Sequence, residues 1–378
     1  MTPACVADYR EAARRRLPRV LFDYIDGGSY AEATLAANVA DIQALKLRQR
    51  VLVDVSRLDM GVNLFGQALS MPVVLSPIGL GGMYARRGET QAARAAKAAG
   101  VPFSLSTVGL CSVEEVAKAA APPWFQLYMV RDRAFMADVL AAVQAAGSPV
   151  LLFTVDLPMP GARYRDTRNG MIAVTAAQRL RQALDGLSHP AWLWDVQVRG
   201  GPHVLGNVAS ASAELKTISD FWMWIGSNFD PSVSWKDIEW VRAHWKGPIV
   251  LKGVLDAEDA REAVRCGVEG VVVSNHGGRQ LDGAPSSISA LPAVADAVGD
   301  ALTVLMDGGV RSGLDVLKAL ACGAKACLIG RAWAWALGAR GEAGVAHMLA
   351  ILRQELRMAM ALTGCTDVKT AGRALLAD

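Results

Sequence analysis

Eight short apolar runs, rich in β-branched residues, recur along this chain: "PVVLSPIG" from Pro72, "VPFSLST" from Val101, "WFQLYM" from Trp124, "PVLLFTVD" from Pro149, "PIVLKG" from Pro248, "GVVVSN" from Gly270, "ALTVLMDGG" from Ala301 and "KACLIGR" from Lys325. They are nearly continuous in apolar character, as strands covered on both faces must be. Helical patterns of period 3.6 lie between most of them, such as "GETQAARAAKAAG", "SVEEVAKAA", "DAEDAREAVRCG" and "SGLDVLKALACG", several opening on Ser or Asp and closing on Gly. Strand–helix alternation repeated eight times predicts a (β/α)8 barrel of the α/β class, preceded by a helical segment at the N-terminus. An open doubly wound sheet would usually carry G-x-G-x-x-G after an early strand, and none is present. At 378 residues the whole chain, 1–378, reads as one barrel domain.

The alternation fails once. Strand four ends near Asp156 and strand five begins near Pro248, far more chain than one helix needs. The excess, residues 171–228, is expected to be an insertion over the mouth, because loops after barrel strands gather at that face. It holds Trp192, Trp194, Trp222 and Trp224. Its basic residues (Arg179, Arg181, Arg199, Lys216) are matched by acidic ones (Asp185, Asp195, Glu214, Asp220), which is not the polybasic face of a strong interfacial binder.

Charge is nearly balanced, 39 basic against 36 acidic side chains, with no basic block, so nucleic-acid binding is not expected. The six cysteines form no C-x-x-C pair and read as free thiols of a reducing compartment. No His/Cys cluster has metal-ligand spacing. The N-terminus lacks the apolar core of a signal peptide, and the uncharged run 60–85 is broken by Asn63, Gln67, Pro72 and Pro77, so a cytoplasmic protein is expected.

Every strand ends in polar or turn-forming residues: Pro77-Ile78-Gly79, Ser106-Thr107, Gln126 with Tyr128, Thr154 with Asp156, Lys252, Ser274 with His276 and Arg279, Asp307-Gly308-Gly309 with Arg311, and Gly330-Arg331. In a parallel barrel these ends converge on one face. The last two, Gly-rich turns each with an arginine, suit a phosphate, since backbone N–H groups and a guanidinium both point at it. The remaining histidines, His189, His203, His244 and His347, lack comparable surroundings and read as structural.

The stretch "SNHGGRQLDG", together with "FDYIDGG", "FQLY", "FTVD", "PGARYRD", "LKG" and "DGGVRSG" in order, resembles the FMN-dependent 2-hydroxy acid dehydrogenases and oxidases across nearly the whole chain. "LSMPVVLSPIGLGGMYARRGE" and "NFDPSVSWKDIEWVR" are most similar to its bacterial respiratory, L-lactate-oxidising branch. The resemblance implies FMN at the mouth, with its ring against Pro77, Ile78 and Gly79. Ser106, Gln126 and Thr154 would serve its polar edge, Ser274 would also bind the cofactor, and Lys252 would be the cation beside the reduced ring. Asp307, Gly308, Gly309, Arg311, Gly330 and Arg331 would hold the phosphate. It makes His276 the base, oriented by Asp156, with Tyr128 beside the reacting oxygen, and gives the substrate carboxylate to Arg279, Tyr24 and Arg163.

The activity implied is oxidation of L-lactate to pyruvate, with a quinone or another respiratory carrier as acceptor. Mandelate or another 2-hydroxy acid is the alternative substrate, and oxygen the alternative acceptor. A flavin barrel that rearranges phosphorylated substrates and a non-catalytic phosphate-binding barrel are the competing classes. Gly79 is similar to the dehydrogenase members, where oxidases often carry alanine. A tetramer and a weak contact of 171–228 with the cytoplasmic face of the inner membrane are also implied.

Overall fold

The computed structural model describes residues 2–171, 175–201, 203–208, 220, 224 and 226–377. Trp222, Glu214 and Lys216 of the insertion lie outside the described residues. A short antiparallel hairpin comes first, β1 (Val62–Leu64) and β2 (Gln67–Leu69). The eight runs then all form strands: β3 (Val73–Leu75), β4 (Ser104–Ser106), β5 (Trp124–Leu127), β6 (Leu151–Thr154), β7 (Ile249–Val254), β8 (Gly270–Val273), β9 (Thr303–Met306) and β10 (Ala326–Ile329). They pair in parallel in the order β3-β10-β9-β8-β7-β6-β5-β4, and a parallel bridge from Leu75 to Phe103 brings the two ends together. The result is an eight-stranded parallel barrel of the α/β class.

Two apolar layers follow from strand alternation. Inward residues Val74, Trp124, Leu152, Val250, Val272, Leu305 and Leu328 fill the barrel, and the hairpin adds Leu64 and Leu69 to the same cluster. Phe65 at the hairpin tip meets Trp124 edge-on at 5.7 Å, and the Trp124 indole N–H donates to Gln67. The hairpin therefore stoppers the amino-terminal end, which leaves the carboxyl end for chemistry. The outer layer packs strands against helices, among them Gly88–Ala99, Val113–Ala119, Arg133–Ala145, Asp237–His244, Ala257–Arg265 and Gly313–Ala321.

Their boundaries follow local chemistry. Ser112, Asp132, Asp256 and Ser312 each accept a backbone N–H from the first turn of the helix they cap. Two of the helices that the sequence patterns do not announce pack against the barrel. Ser287–Val298 carries Pro292 in its interior, and Arg331–Thr363 turns at Arg340 and Gly341, which leave helical geometry.

The described part of the long β6–β7 connection is largely helical, with Tyr164–Asn169, Ala176–Leu187 and a run from Pro190 to Val198. It is tied down at named points. The buried Trp192 donates its indole N–H to the Met83 carbonyl at 2.8 Å, Asp195 pairs with Arg16 at 3.0 Å, and the Asn207 amide donates to the Ser106 carbonyl at 3.1 Å. Among the described residues no helix is long and apolar enough to cross a membrane.

Candidate active site

The carboxyl ends of the strands open into one cavity. Its walls include Tyr24, Pro77, Ile78, Gly79, Gln126, Tyr128, Thr154, Arg163, Lys252, His276, Arg279, Asp307, Gly308, Gly309, Arg311, Gly330 and Arg331. Three of the expected site residues stand behind the wall instead. Ser106 donates its hydroxyl to Gln126 Oε1 at 2.8 Å. The Ser274 hydroxyl accepts from Lys252 Nζ at 3.1 Å and from the His276 backbone N–H at 3.0 Å. Asp156 accepts from His276 Nδ1 at 2.8 Å. Ser106 and Ser274 each orient a neighbour that lines the cavity.

His276 sits in a backbone arrangement that few side chains adopt, with φ +58, followed by Gly277 at +66 and Gly278 at +72. The two glycines are forced. A Cβ on Gly278 would lie 2.5 Å from the Leu35 backbone nitrogen, and one on Gly277 would lie 2.7 Å from the Arg331 guanidinium. This triple left-handed turn swings the imidazole back over the barrel. A carboxylate on Nδ1 requires the proton there, so Nε2 carries the lone pair, and Tyr128 Oη stands 3.4 Å from it. Burial lowers the His276 pKa below the usual 6.5; Asp156 works against this, while Lys252 and Arg279 add to it. For Asp156, burial favours the neutral acid, yet His276 and Lys252 outweigh it and hold the carboxyl below its ordinary range. The pair is therefore a neutral imidazole on a carboxylate.

Two guanidinium groups flank the Tyr24 ring, Arg279 at 4.8 Å and Arg163 at 5.8 Å from its centroid. Arg279 is fixed by donating to the carbonyls of Tyr24 and Gly27. Burial lowers the Arg163 pKa and the nearby Arg279 lowers it further, so positive charge is concentrated at this end of the cavity. Across it, Lys252 Nζ pairs with Asp307 at 3.0 Å, both side chains buried. Burial disfavours the Lys252 charge, but Asp307 and Asp156 more than compensate and its pKa rises.

The remaining quadrant is a cradle. Gly308 and Gly309 have φ of +89 and +84, and a Cβ on Gly309 would fall 1.9 Å from the Asn38 carbonyl oxygen. Arg311 lies over the Trp335 ring at 4.9 Å and makes one side-chain hydrogen bond among the described residues, to the Val310 carbonyl. Burial pulls its pKa down to about 10, still cationic at neutral pH. Arg331 differs: it donates to the carbonyls of Ile25, Gly277 and Gly27, so three of its five N–H groups hold the chain around the site.

These groups fit FMN. Gln126 Nε2, Thr154 Oγ1 and Asp307 Oδ1 are buried, line the cavity and have no hydrogen-bond partner among the described residues. Such groups are costly unless a ligand satisfies them. Two donor-bearing side chains match the polar edge of an isoalloxazine, and the Gly308–Arg311 turn matches a phosphate.

Sequence reasoning pointed to the stretch 81–84 without placing it and missed several further wall residues. Tyr84 is fully buried and donates its hydroxyl to the Gly79 carbonyl. Val108, Leu157, Pro160 and Phe229 supply apolar wall. The Phe229 ring packs tilted against Tyr128, 5.0 Å between centroids and 35° between planes, and is held by an antiparallel bridge to Val130. Phe229 stood in the quoted "NFDPSVSW", but an aromatic beside a turn carries no signal of the cavity it faces.

A barrel with a histidine–carboxylate pair, clustered arginines and a phosphate cradle at its mouth defines an oxidoreductase-type flavin site. Residues 13–378 match the family of FMN-dependent dehydrogenases. The L-lactate dehydrogenase of Caulobacter vibrioides (strain NA1000 / CB15N) is 59% identical over 379 residues, covering 100% of this chain and 98% of the relative. That of Alcaligenes faecalis is 54% identical over 370 residues, 98% and 97% of the two chains. The crystal structure of the monotopic membrane protein (S)-mandelate dehydrogenase superposes with TM-score 0.92 at 35% identity, covering both chains fully. A mandelate oxidase with (S)-4-hydroxymandelic acid gives 0.86 at 39%, covering 99% and 98%. The chain belongs to the FMN-dependent dehydrogenase family, and FMN is its cofactor.

Proposed function

We propose that this chain oxidises L-lactate to pyruvate and passes the electrons to a quinone. The observation that carries the reading is the His276–Asp156 pair, with Nε2 turned to the cavity between Tyr128 and the two arginines. FMN supplies the two-electron acceptor. The protein does the rest: Arg279 and Arg163 fix the substrate carboxylate, with Tyr24 between them. Nε2 of His276 takes the 2-hydroxyl proton, and Asp156 stabilises the imidazolium that results. Tyr128 keeps its own proton, since burial pushes its pKa far up, and so donates a hydrogen bond to the reacting oxygen.

Lys252, buried near Gln126 and Thr154 in the same wall, supplies positive charge for the reduced ring. Gly308, Gly309, Arg311 and Gly330 hold the phosphate, and Arg331 secures the loop that carries His276. L-Lactate is preferred to mandelate because the curated relatives at 54–59% identity are named for it, whereas the mandelate enzymes stand at 35–39%.

Residues 1–378 act as one barrel domain, with 171–228 as its cover. That cover also touches the bilayer. Leu180, Leu184 and Leu187 are exposed at helical spacing, as are Trp194 and Val198. A mandelate dehydrogenase described as monotopic shares the fold. The chain assembles as a homotetramer; exposed Val51 and Leu52 follow Arg50, whose N–H donates to the carbonyl of the exposed Leu362, and together they offer apolar surface for it.

Anaerobic addition of L-lactate to the FMN-loaded protein tests the activity. The flavin absorbance bleaches, and His276→Gln keeps the colour while slowing bleaching about 10²–10⁴-fold. Lack of bleaching by L-lactate, with bleaching by another 2-hydroxy acid, would transfer the reading to that acid.

A further inference from the structure

A second cleft, of about 400 Å3, opens on the outer side of β6 and β7 against the helix Asp237–His244. That is the size of a small-ligand site. Four residues, Tyr128, Thr154, Leu157 and Phe229, line both this cleft and the catalytic cavity. The two spaces are therefore separated by single side chains, chiefly the packed Tyr128–Phe229 pair.

The chemistry of the two spaces is opposite. The catalytic cavity carries Arg163, Lys252, Arg279, Arg311 and Arg331, whereas no Lys, Arg or His lines the cleft among the described residues. Among the described residues its charged groups are Asp230 and Asp259, and Asp230 is already held by Arg133 at 2.6 Å. Anions such as lactate or phosphate are disfavoured there. Phe153, Phe229 and Trp235 offer ring faces, and Val155, at 37% exposure, forms part of an open rim. A flat, neutral, apolar ring that arrives from outside matches this lining.

We propose that this cleft is the docking site of the quinone, which reaches the reaction centre from behind Tyr128 and Thr154 while the acid occupies the arginine end. The inference rests on the activity read above. The balance is simple: the 2-hydroxy acid loses two electrons and two protons to become the 2-oxo acid, and the quinone's two carbonyl oxygens gain two electrons and two protons to become hydroxyls. FMN ends as it began, and solvent relays the protons. Two separate docking places allow the oxidant to bind without displacing the acid.

Filling the cleft tests this. In Val233→Trp, and in Ser234→Trp on the exposed rim should the first not fold, the KM for a short-chain quinone rises at least tenfold. Anaerobic bleaching by L-lactate stays within twofold, as does turnover with a small inorganic one-electron acceptor. Titration of the unreacted protein with the same quinone quenches tryptophan fluorescence, and Trp235→Phe removes most of that quenching. An unchanged quinone KM in a folded, cleft-filled variant overturns the proposal, as does competition between quinone and L-lactate. If L-lactate fails to bleach the flavin, the activity reading falls, while the fluorescence titration still decides whether the cleft binds a quinone.

Discussion

Asp156 has two separable effects on His276, and its replacement distinguishes them. Its charge raises the imidazole pKa, against the burial that lowers it; its oxygen fixes the ring through Nδ1. The base must be neutral, so activity falls as pH drops through the His276 pKa, and that limb of kcat/KM is expected below the ordinary 6.5. In Asp156→Asn the raising influence is gone. The limb moves to still lower pH while the plateau falls, and a pH profile of flavin bleaching reads both changes. Lys252→Met removes the cation from a buried pair and leaves the Asp307 carboxylate uncompensated. The expected loss is about 3–5 kcal/mol of stability, measured by urea unfolding. His276 and Arg279 were legible from sequence because a base and a cation just after an apolar strand have no packing role there. Ser106 and Ser274 were less so. A hydroxyl at a strand end reads the same whether it faces a ligand or, as here, the amide or ammonium beside it.

At the scale of the element, the β9 turn shows where crowding rather than propensity dictates residue choice. Gly309→Ala combines φ +84 with a Cβ 1.9 Å from the Asn38 oxygen, whereas Gly66→Ala combines φ +80 with nothing within 4 Å. The second substitution costs about 1 kcal/mol of strain. The first costs more and, by shifting the turn away from the helix Ala33–Ala44, weakens FMN retention; paired unfolding curves and FMN release rates measure the difference. Several helix starts were visible because Ser and Asp caps announce them. The helix Ser287–Val298 was hidden by Pro292, whose missing N–H signals a break that the buried Leu291 and Val294 override. The hairpin β1–β2 was hidden differently. It lies in a long uncharged run, and only the barrel floor it closes gives that run a meaning.

For the whole molecule, eight-fold alternation was enough to reach the barrel, because parallel strands buried on both faces leave few other closures. The long connection was legible as a length anomaly, but its packing was not: Trp192 turned inward to Met83, whereas Trp194 stayed 61% exposed. The membrane contact proposed for this cover would use that division, with Trp192 holding it to the barrel and Trp194 free for the lipid interface. Leu180, Leu184 and Leu187 repeat at i, i+4 and i+7 along Ala176–Leu187, so they share one side of that helix. A solvated helix gains nothing from three exposed leucines on one side, whereas insertion into the acyl boundary gains about 1.5–3 kcal/mol for each one fully buried. Leu180→Glu combined with Leu184→Glu should therefore lower partition onto vesicles at least about tenfold, since one factor of ten needs only about 1.4 kcal/mol. Co-sedimentation measures it. Bleaching by L-lactate serves as the control, because neither leucine lines the catalytic cavity. Equal sedimentation of the variant and the parent chain would place these leucines against another protein surface, and light scattering would then show whether the same substitutions dissociate an oligomer.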